Sequence, residues 1–508
     1  MYKKERFIEI LEKYQDRPLL LYGDPDVDGL VSLLLMCQFC EMLNLKYSYY
    51  VNDRRFHGLG IDPSKLKGYL VIAADFTLEE FEIQDLVDNN VAIISTDHHD
   101  VQDTFIDIKG ETSEGVVFNN QYPFEADEDR YLSGAGVFYE LVCSLYPAFK
   151  DPLREALVGA TLLSDMRAIE NDKAHYYLDK AYNSDSTTGF IKYLIDGCKG
   201  ADFGFGVPKF DRNFIDYHFS PYVNALLRAN HTDDAINYIL GFGYADYDAK
   251  AVQDSLLDSM YTKARVYTYP NVTYLLVDAE DYSDFDVDVT GYIGLFCNHY
   301  SDRNGGMSVV GCVVDSGKIV RASFRGKYDD VAYRQGFIDL GIDAQGHAGA
   351  FGILNFVPTD DTWGAIDKLI GDLENGHPAT CTIVPVGNLA YFIDRKGYEI
   401  ATKNCYVRDM FRIYFKYTGS NVVITKTTYK TRPYTDEDAE KGLLPDIKTK
   451  TNKQMYLLDK LSNPIPKYIE YEVDGMKVKS FGVSIEDGII LAVLEKGYVQ
   501  LYCRSVLL

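Results

Sequence analysis

The stretch LLLYGDPDVDG, residues 19–29, decides the fold prediction. It begins with a short apolar run before a Gly-flanked loop, which indicates a buried strand, and the apolar stretch over 30–45 predicts a helix. Between them stand three carboxylates, Asp24, Asp26 and Asp28. In an open α/β sheet, the loops at the carboxyl ends of strands bind ligands. Because three neighbouring carboxylates repel one another, the loop predicts a cation site.

The same aspartate spacing also opens a calcium-binding EF-hand loop, and the sequence argues against this alternative. With Asp24 as the first position, the twelfth is Leu35, where an EF-hand needs a bidentate Glu. The preceding segment is typical of a strand, whereas an EF-hand loop follows a helix. A solvent-exposed acidic loop is the other interpretation of this stretch taken alone.

Composition indicates a globular protein of several domains. The 508 residues are too many for one core, and the contents of 46% hydrophobic and 25% charged residues are ordinary. The sequence shows neither a membrane-length apolar run nor a secretory signal, and its nine scattered cysteines suit reduced thiols. We therefore expect a cytoplasmic protein without membrane association. A net charge of −25 argues against a nucleic-acid partner. Residues 401–455, however, hold 11 Lys or Arg against 6 Asp or Glu, so an acidic protein of this kind can still carry a local basic surface.

Two further apolar runs end like the first one. One precedes Asp75, and the run VAIIS precedes TDHH at residues 96–99. Because alternating strands and helices predict a parallel doubly wound sheet, these strand ends should share one edge. Carboxylates with imidazoles suit Mn²⁺ or Mg²⁺, and two such ions can activate water in phosphoester hydrolysis. Asp165, in ALVGATLLSDM, is another acid in an apolar run, where it caps a helix as readily as it binds a metal.

Four segments together carry a family resemblance. GDPDVDG, AADF, TDHH and LLSDM resemble, in order and spacing, motifs I to IV of the DHH phosphoesterase superfamily. SGAGVFYEL at residues 133–141 and the pair Asn119–Asn120 are similar to segments that the family has between motifs III and IV. The resemblance implies the fold and the metal-dependent chemistry of that family.

Three more segments resemble RecJ-type single-strand exonucleases. NDRRFHGLG is similar to an arginine-containing segment near the 5′-phosphate, RASFRG to a Ser-x-Arg motif, and QGHAGAFG to a loop of the DHH-associated domain. Leu59, Gln345 and Phe351 depart from the family's pattern in these segments. The resemblance extends over residues 18–375, about three quarters of the chain.

The resemblance assigns roles to individual residues. The implied metal ligands are Asp24, Asp26, Asp28, Asp75, His98 and Asp165. Among them Asp75 would bridge two ions, and Asp24 is either a ligand itself or a residue that contacts the ligands. The implied catalytic residues are Asp75, His99, which would face the scissile phosphate, and Asp97, which would orient a histidine. The implied substrate-binding residues are Arg54, Ser323, Arg325, Gly346 and His347.

We expect an α/β fold in four parts. A doubly wound, mainly parallel DHH domain would cover residues 1–205 and a helical connector 206–265. A second, smaller α/β domain, the DHH-associated domain, would cover 266–375, and a β-rich domain 376–508. Basic and aromatic residues alternate near the start of this last domain, which suits a single-strand platform and an ordinary amphipathic strand equally.

The resemblance implies a phosphodiesterase that removes nucleotides from single-stranded DNA, from the 5′ end, with two Mn²⁺ or Mg²⁺ ions in a cleft between the DHH and DHH-associated domains. RNA stays open as a substrate. A monomer is expected, and a single-strand-binding protein or replication and repair proteins are the implied partners. One alternative is a hydrolase of short oligonucleotides, phosphoadenosine phosphate or cyclic dinucleotides. Another is a catalytically silent replication scaffold of DHH ancestry.

Overall fold

The structure is a computed structural model that describes the larger part of the chain. The described residues are 4–52, 60–75, 80–99, 114–122, 125–165, 171–198, 209–211, 214–304, 307–328, 331–346 and 348–375, with the strands of the C-terminal part. The chain divides into two compact units, the first being Met1–Tyr300 with Ser308–Ile370 and the second Ser301–Met307 with Gly371–Leu508.

Helices dominate the first unit. They are α1 (Glu5–Tyr14), α2 (Val27–Met42), α3 (Glu80–Asp88), α4 (Gly134–Leu145), α5 (Pro152–Ser164), α6 (Asp172–Tyr182), α7 (Gly189–Gly197), α8 (Ser220–Arg228), α9 (Thr232–Leu240), α10 (Ala249–Lys263), α11 (Ile293–Arg303), α12 (Tyr333–Asp339) and α13 (Asp360–Glu374). A π-helical turn over Ile215–Phe219 leads directly into α8. Over the described residues, every helix falls short of the length and apolarity needed to cross a membrane.

Among its described residues, the first unit contains two sheets. The first is built from β1 (Leu19–Gly23), β2 (Tyr47–Val51), β3 (Leu70–Ala74), β4 (Ala92–Asp97) and β5 (Gly115–Asn119). The second is built from β6 (Arg265–Thr268), β7 (Val272–Asp278), β8 (Ser308–Asp315), β9 (Lys318–Arg325), β10 (Ala344–Gly346) and β11 (Ala350–Ile353).

The first sheet is parallel throughout, in the order β2-β1-β3-β4-β5. The chain runs from β1 to β2 on one side and then crosses over β1 to β3 on the other. The strand order therefore reverses between β1 and β3. A reversal of this kind opens a crevice at the carboxyl ends of the two strands, where ligands bind in such sheets.

Both faces of this sheet are covered. Leu19 and Leu21 face a large core formed with α1, α2, α4 and α5, whereas Leu20 and Tyr22 face a smaller core that includes Ile83 of α3. Successive strand residues point to opposite faces, so a sheet covered on both sides needs continuous apolar runs. The predicted doubly wound parallel sheet is confirmed.

The second sheet is mixed. Its order is β10-β11-β9-β8-β7-β6, with β7 and β8 parallel and the other neighbours antiparallel. Helix α13 packs on it through Trp363, whose ring centroid lies 4.2 Å from that of Tyr274 on β7. Helices α8, α9 and α10 precede this sheet, over the part of the chain where we predicted a helical connector.

In the second unit, the described residues from 376 onward lie in strands. They are β12 (Val384–Val386), β13 (Phe411–Tyr417), β14 (Val422–Tyr429), β15 (Thr431–Pro433), β16 (Ile447–Lys448), β17 (Gln454–Leu457), β18 (Pro466–Val473), β19 (Met476–Ser480), β20 (Ile489–Glu495) and β21 (Tyr498–Arg504). Seven form a mainly antiparallel sheet in the order β12-β13-β20-β21-β19-β18-β14, and three form another in the order β15-β17-β16. The predicted fold class is confirmed. The domain boundaries at 205, 265 and 375 stay predictions.

Candidate metal centre

The carboxyl edge of the first sheet gathers the acidic residues. Strands β1 and β3 are neighbours, and they lead directly into Asp24 and Asp75. The next strand, β4, ends at Asp97 and is followed by His98. The reversal of strand order thus lies where these side chains converge.

The loop after β1 folds tightly into α2. Asp26 caps the helix, since its Oδ1 accepts a hydrogen bond from the Gly29 amide at 2.9 Å. The helix begins at Val27, three residues before the predicted start at Leu30, and Asp28 therefore lies in its first turn. An added Cβ at Gly29 would lie 2.3 Å from the carbonyl oxygen of Asp24, so the loop needs a glycine there.

Asp28 is buried against the N-terminus of a distant helix. Its carboxylate accepts hydrogen bonds from the amides of Gly134, at 2.6 Å, and Ala135, at 3.1 Å, which open α4. These amides lack partners within their own helix, and the helix dipole favours an anion at this end. Burial and the neighbouring charge of Asp26 nevertheless raise the pKa of Asp28 to about 6.

Asp75 has a left-handed backbone conformation, with a φ of 62°. Its amide donates to the carbonyl of Thr96 at 2.9 Å, which ties the end of β3 to β4. An added Cβ at Gly134 would lie 2.4 Å from the Cβ of Asp75, so α4 approaches closely because residue 134 has no side chain. Burial, followed by the charges of Asp28 and other acids, holds the pKa of Asp75 well above its ordinary value.

The imidazole of His98 is buried among three carboxylates. Its Nε2 lies 2.9 Å from Oδ1 of Asp75, 3.5 Å from Oδ2 of Asp165 and 3.8 Å from Oδ2 of Asp28. Asp165 directly follows α5 as its C-terminal cap, so the end of that helix delivers the carboxylate to the sheet edge.

Asp97 and His99 form a separate hydrogen-bonded pair. Oδ1 of Asp97 lies 2.7 Å from Nδ1 of His99 and accepts the amide of His98 at 2.8 Å. Burial alone would raise the pKa of Asp97, but the charge of His99 and these hydrogen bonds hold it below its ordinary value. Burial opposes the charged imidazole, yet Asp97 raises the pKa of His99 to about 10.

Three groups of these side chains are compact enough to hold a metal ion. In each group, one ligand atom per residue lies within 4.8 Å of the others; the groups are Asp75, His98 and His99; Asp28, His98 and Asp165; and Asp24, Asp26 and Asp75. Asp75 and His98 each belong to two groups. Carboxylate oxygens with one or two imidazoles fit Mn²⁺ or Mg²⁺, which are bound mainly through oxygen. The structure brings all six residues predicted as ligands to one edge.

Three residues predicted to bind substrate lie on two strands of the second sheet. Ser323 and Arg325 are on β9, and Gly346 is on β10, with β11 between them. Nη1 of Arg325 donates to Oγ of Ser323 at 2.9 Å and to the carbonyl of Phe324 at 2.6 Å. Gly346 has a φ of 133°, a conformation that favours glycine. The other two, Arg54 and His347, lie outside the described residues.

Two residues at the site had no predicted role. Gly134 permits the close approach of α4 to Asp75. Asn119 donates from Nδ2 to the carbonyl of His99 at 3.0 Å and to Oδ2 of Asp97 at 3.4 Å. Both fall in segments that resemble the family, SGAGVFYEL and the Asn119–Asn120 pair, and that resemblance was the available signal.

Comparison with known proteins finds a match to one family. A sequence model of the DHH family, N-terminal domain, matches residues 18–164. The match covers less than a third of the chain and supports the predicted resemblance to the DHH superfamily. The single-stranded-DNA-specific exonuclease RecJ of Bacillus subtilis (strain 168) is 23% identical over 240 residues, which are 44% of this chain and 28% of that relative. The match thus spans less than a third of the relative's length.

Two solved structures of RecJ from Thermus thermophilus share the fold. The one in complex with Mn²⁺ has a TM-score of 0.62 at 13% identity, over 99% of this chain and 71% of that chain. The one in complex with Mg²⁺ has a TM-score of 0.54 at 12% identity, over 99% and 69%. The predicted resemblance to RecJ-type DHH proteins is confirmed.

Proposed function

We propose that this protein is a phosphodiesterase that uses two Mn²⁺ or Mg²⁺ ions to remove nucleotides from the 5′ end of single-stranded DNA. The observation that carries the proposal is the convergence of carboxylate and imidazole ligand groups at the β1/β3 edge, where Asp75 and His98 are each shared by two groups. Two of the groups contain only predicted ligands, Asp28 with His98 and Asp165, and Asp24 with Asp26 and Asp75. Two such groups suit two ions. The RecJ relative named for single-stranded DNA supplies the substrate class.

In this proposal, different residues bind the metal ions, the scissile phosphate and the strand backbone. Five carboxylates and the imidazole of His98 would hold the ions, which when bound stabilise negative charge on phosphate oxygens and activate water. The pair formed by Asp97 and His99 lies beside this site, where His99 would donate hydrogen bonds to the scissile phosphate. Arg325 would bind the strand backbone through its planar guanidinium, supported by Ser323.

The test removes Asp75, which belongs to two of the groups. We expect Asp75→Asn and Asp75→Ala to bind Mn²⁺ more weakly and to lose digestion of an end-labelled strand, with a retained circular dichroism spectrum. Asp254→Asn is the matched control, because Asp254 is exposed and pairs with Lys250 on α10. An Asp75→Ala variant that digests the strand at the parental rate would falsify the two-metal site.

The substrate panel separates the alternatives. It contains single- and double-stranded DNA and RNA, with and without a 5′-phosphate, and a dinucleotide. The proposal expects 5′-phosphorylated single-stranded DNA to be digested fastest, with labelled mononucleotide released from the 5′ end. Faster turnover of the dinucleotide would favour a hydrolase of small substrates. Tight Mn²⁺ binding without hydrolysis of any nucleic acid would favour a silent scaffold.

A further inference from the structure

Gly294, the second residue of α11, lies against the guanidinium of Arg325. An added Cβ at this position would lie 2.7 Å from Nη2 of Arg325, 3.5 Å from its Cζ and 3.2 Å from Oγ of Ser323. The first distance is well inside van der Waals contact. The guanidinium therefore occupies space that is open because residue 294 has no side chain.

Two hydrogen bonds within the second sheet also hold the guanidinium. Nη1 donates to Oγ of Ser323 and to the carbonyl of Phe324, at 2.9 Å and 2.6 Å. Ser323 is itself buried and donates from Oγ to the carbonyl of Phe351 on β11 at 3.3 Å. Two strands thus fix one side of the guanidinium, and α11 limits its position on the side of Nη2. Movement of α11 or a larger residue at 294 would change where Nη2 lies.

We propose that Gly294 is a positioning residue for Arg325, and that through Arg325 it sets the affinity for a nucleic-acid strand. The inference rests on the proposed function, in which Arg325 binds the phosphate backbone. A methyl group at 294 meets the far end of a flexible side chain and the hydroxyl of Ser323, so the guanidinium turns away while the backbone stays in place. Alanine is also a better helix former than glycine, and the fold should keep its stability.

The experiment is a double-mutant cycle on the full-length protein. The parent, Gly294→Ala, Arg325→Ala and the double variant are titrated against a 3′-fluorescein-labelled, 5′-phosphorylated single strand in EDTA, with fluorescence anisotropy as the readout. We expect each single variant to bind about tenfold more weakly, as for loss of one charge-assisted hydrogen-bonding group. The double variant should bind like Arg325→Ala alone, because the methyl group then has no guanidinium to displace.

Gly291 provides the matched control. It lies three residues earlier, and an added Cβ there would meet its nearest atom, the carbonyl oxygen of Arg228, at an ordinary 3.6 Å. Gly291→Ala should bind the strand like the parent. In Mn²⁺, Gly294→Ala should raise KM for the strand and leave kcat unchanged, and its melting temperature should not fall below that of the parent.

Each contrary outcome is informative. Parental affinity in Gly294→Ala, additive losses in the double variant, or a lowered melting temperature in both backgrounds would overturn the positioning role. So would a parent protein that binds no strand. If the parent binds the strand but does not digest it in Mn²⁺, the proposed hydrolysis fails, while the cycle on affinity still decides the role of Gly294.

Discussion

Substitution of Gly134 by alanine tests whether the approach of α4 builds the metal centre. The new Cβ would lie 2.4 Å from the Cβ of Asp75, 2.6 Å from its Cα and 2.8 Å from its Oδ1. The Cα belongs to the backbone and cannot turn aside, so either Asp75 or the first turn of α4 must move. Movement of α4 would also lengthen the hydrogen bonds from Gly134 and Ala135 to Asp28.

Two effects set the size of the change. An overpacked methyl group in a dense interior costs about 1–3 kcal/mol of unfolding free energy. Replacing glycine by alanine in a helix raises the unfolding free energy by up to about 1 kcal/mol, because alanine favours the helix. We expect Gly134→Ala to be less stable by about 1–2 kcal/mol in urea denaturation. The displaced carboxylates should lower Mn²⁺ affinity about 10- to 100-fold in isothermal titration calorimetry, as loss of ligand supports does in other metal sites.

Gly136 offers a control in the same helix. An added Cβ there would lie 3.1 Å from the Cβ of Leu132 and 3.5 Å from Cγ1 of Val158, which are core atoms. Gly136→Ala should therefore change stability but leave Mn²⁺ affinity unaltered. The reasoning is refuted if Gly134→Ala binds Mn²⁺ as tightly as Gly136→Ala does.

Two further predictions concern the pair formed by Asp97 and His99 and the charge of the site. Asn119→Ala should lower kcat about tenfold, because it removes the hydrogen bonds to Asp97 and to the His99 carbonyl. Asn119→Asp should lower kcat further, because its carboxylate would face two hydrogen-bond acceptors. The opposite order of kcat values would contradict the role of Asn119. Mn²⁺ at about 100 times its dissociation constant should stabilise the folded state by about 2.7 kcal/mol for each ion site in thermal melts, and by less in Asp75→Asn. An equal gain in that variant would place the ions elsewhere.

The central sheet could be predicted from the sequence because its strands are covered on both faces and are therefore continuously apolar. The apolar runs before Asp75 and the TDHH segment predicted β3 and β4 to within two residues of their bounds. The start of α2 was predicted less well. Hydrophobic periodicity reports which residues are buried, whereas the helix begins where Asp26 caps it, three residues before the apolar run at Leu30.

The assembly of the site depends on contacts that local patterns do not contain. Asp28 receives its hydrogen bonds from residues more than 100 positions later in the chain. The need for glycine at position 134 arises only when α4 meets Asp75. The apolar run before Asp165 does not indicate whether Asp165 lies inside a helix or at its end, because the hydrophobic pattern is the same in both cases. Its place as the C-terminal cap of α5 follows from the packing of that helix.

The charges within the site separate its acids into two kinds. Asp28 and Asp75 have raised pKa values because each is buried beside other carboxylates, and the amides of α4 only partly offset that repulsion at Asp28. Asp97 is equally buried, but its pKa is lowered because His99 and backbone amides face it. A carboxylate whose charge is already balanced is stabilised little by a nearby cation, whereas the carboxylates of Asp28 and Asp75 would be stabilised strongly. These charges favour the proposed ligand roles of Asp28 and Asp75 and the proposed role of Asp97 in orienting His99.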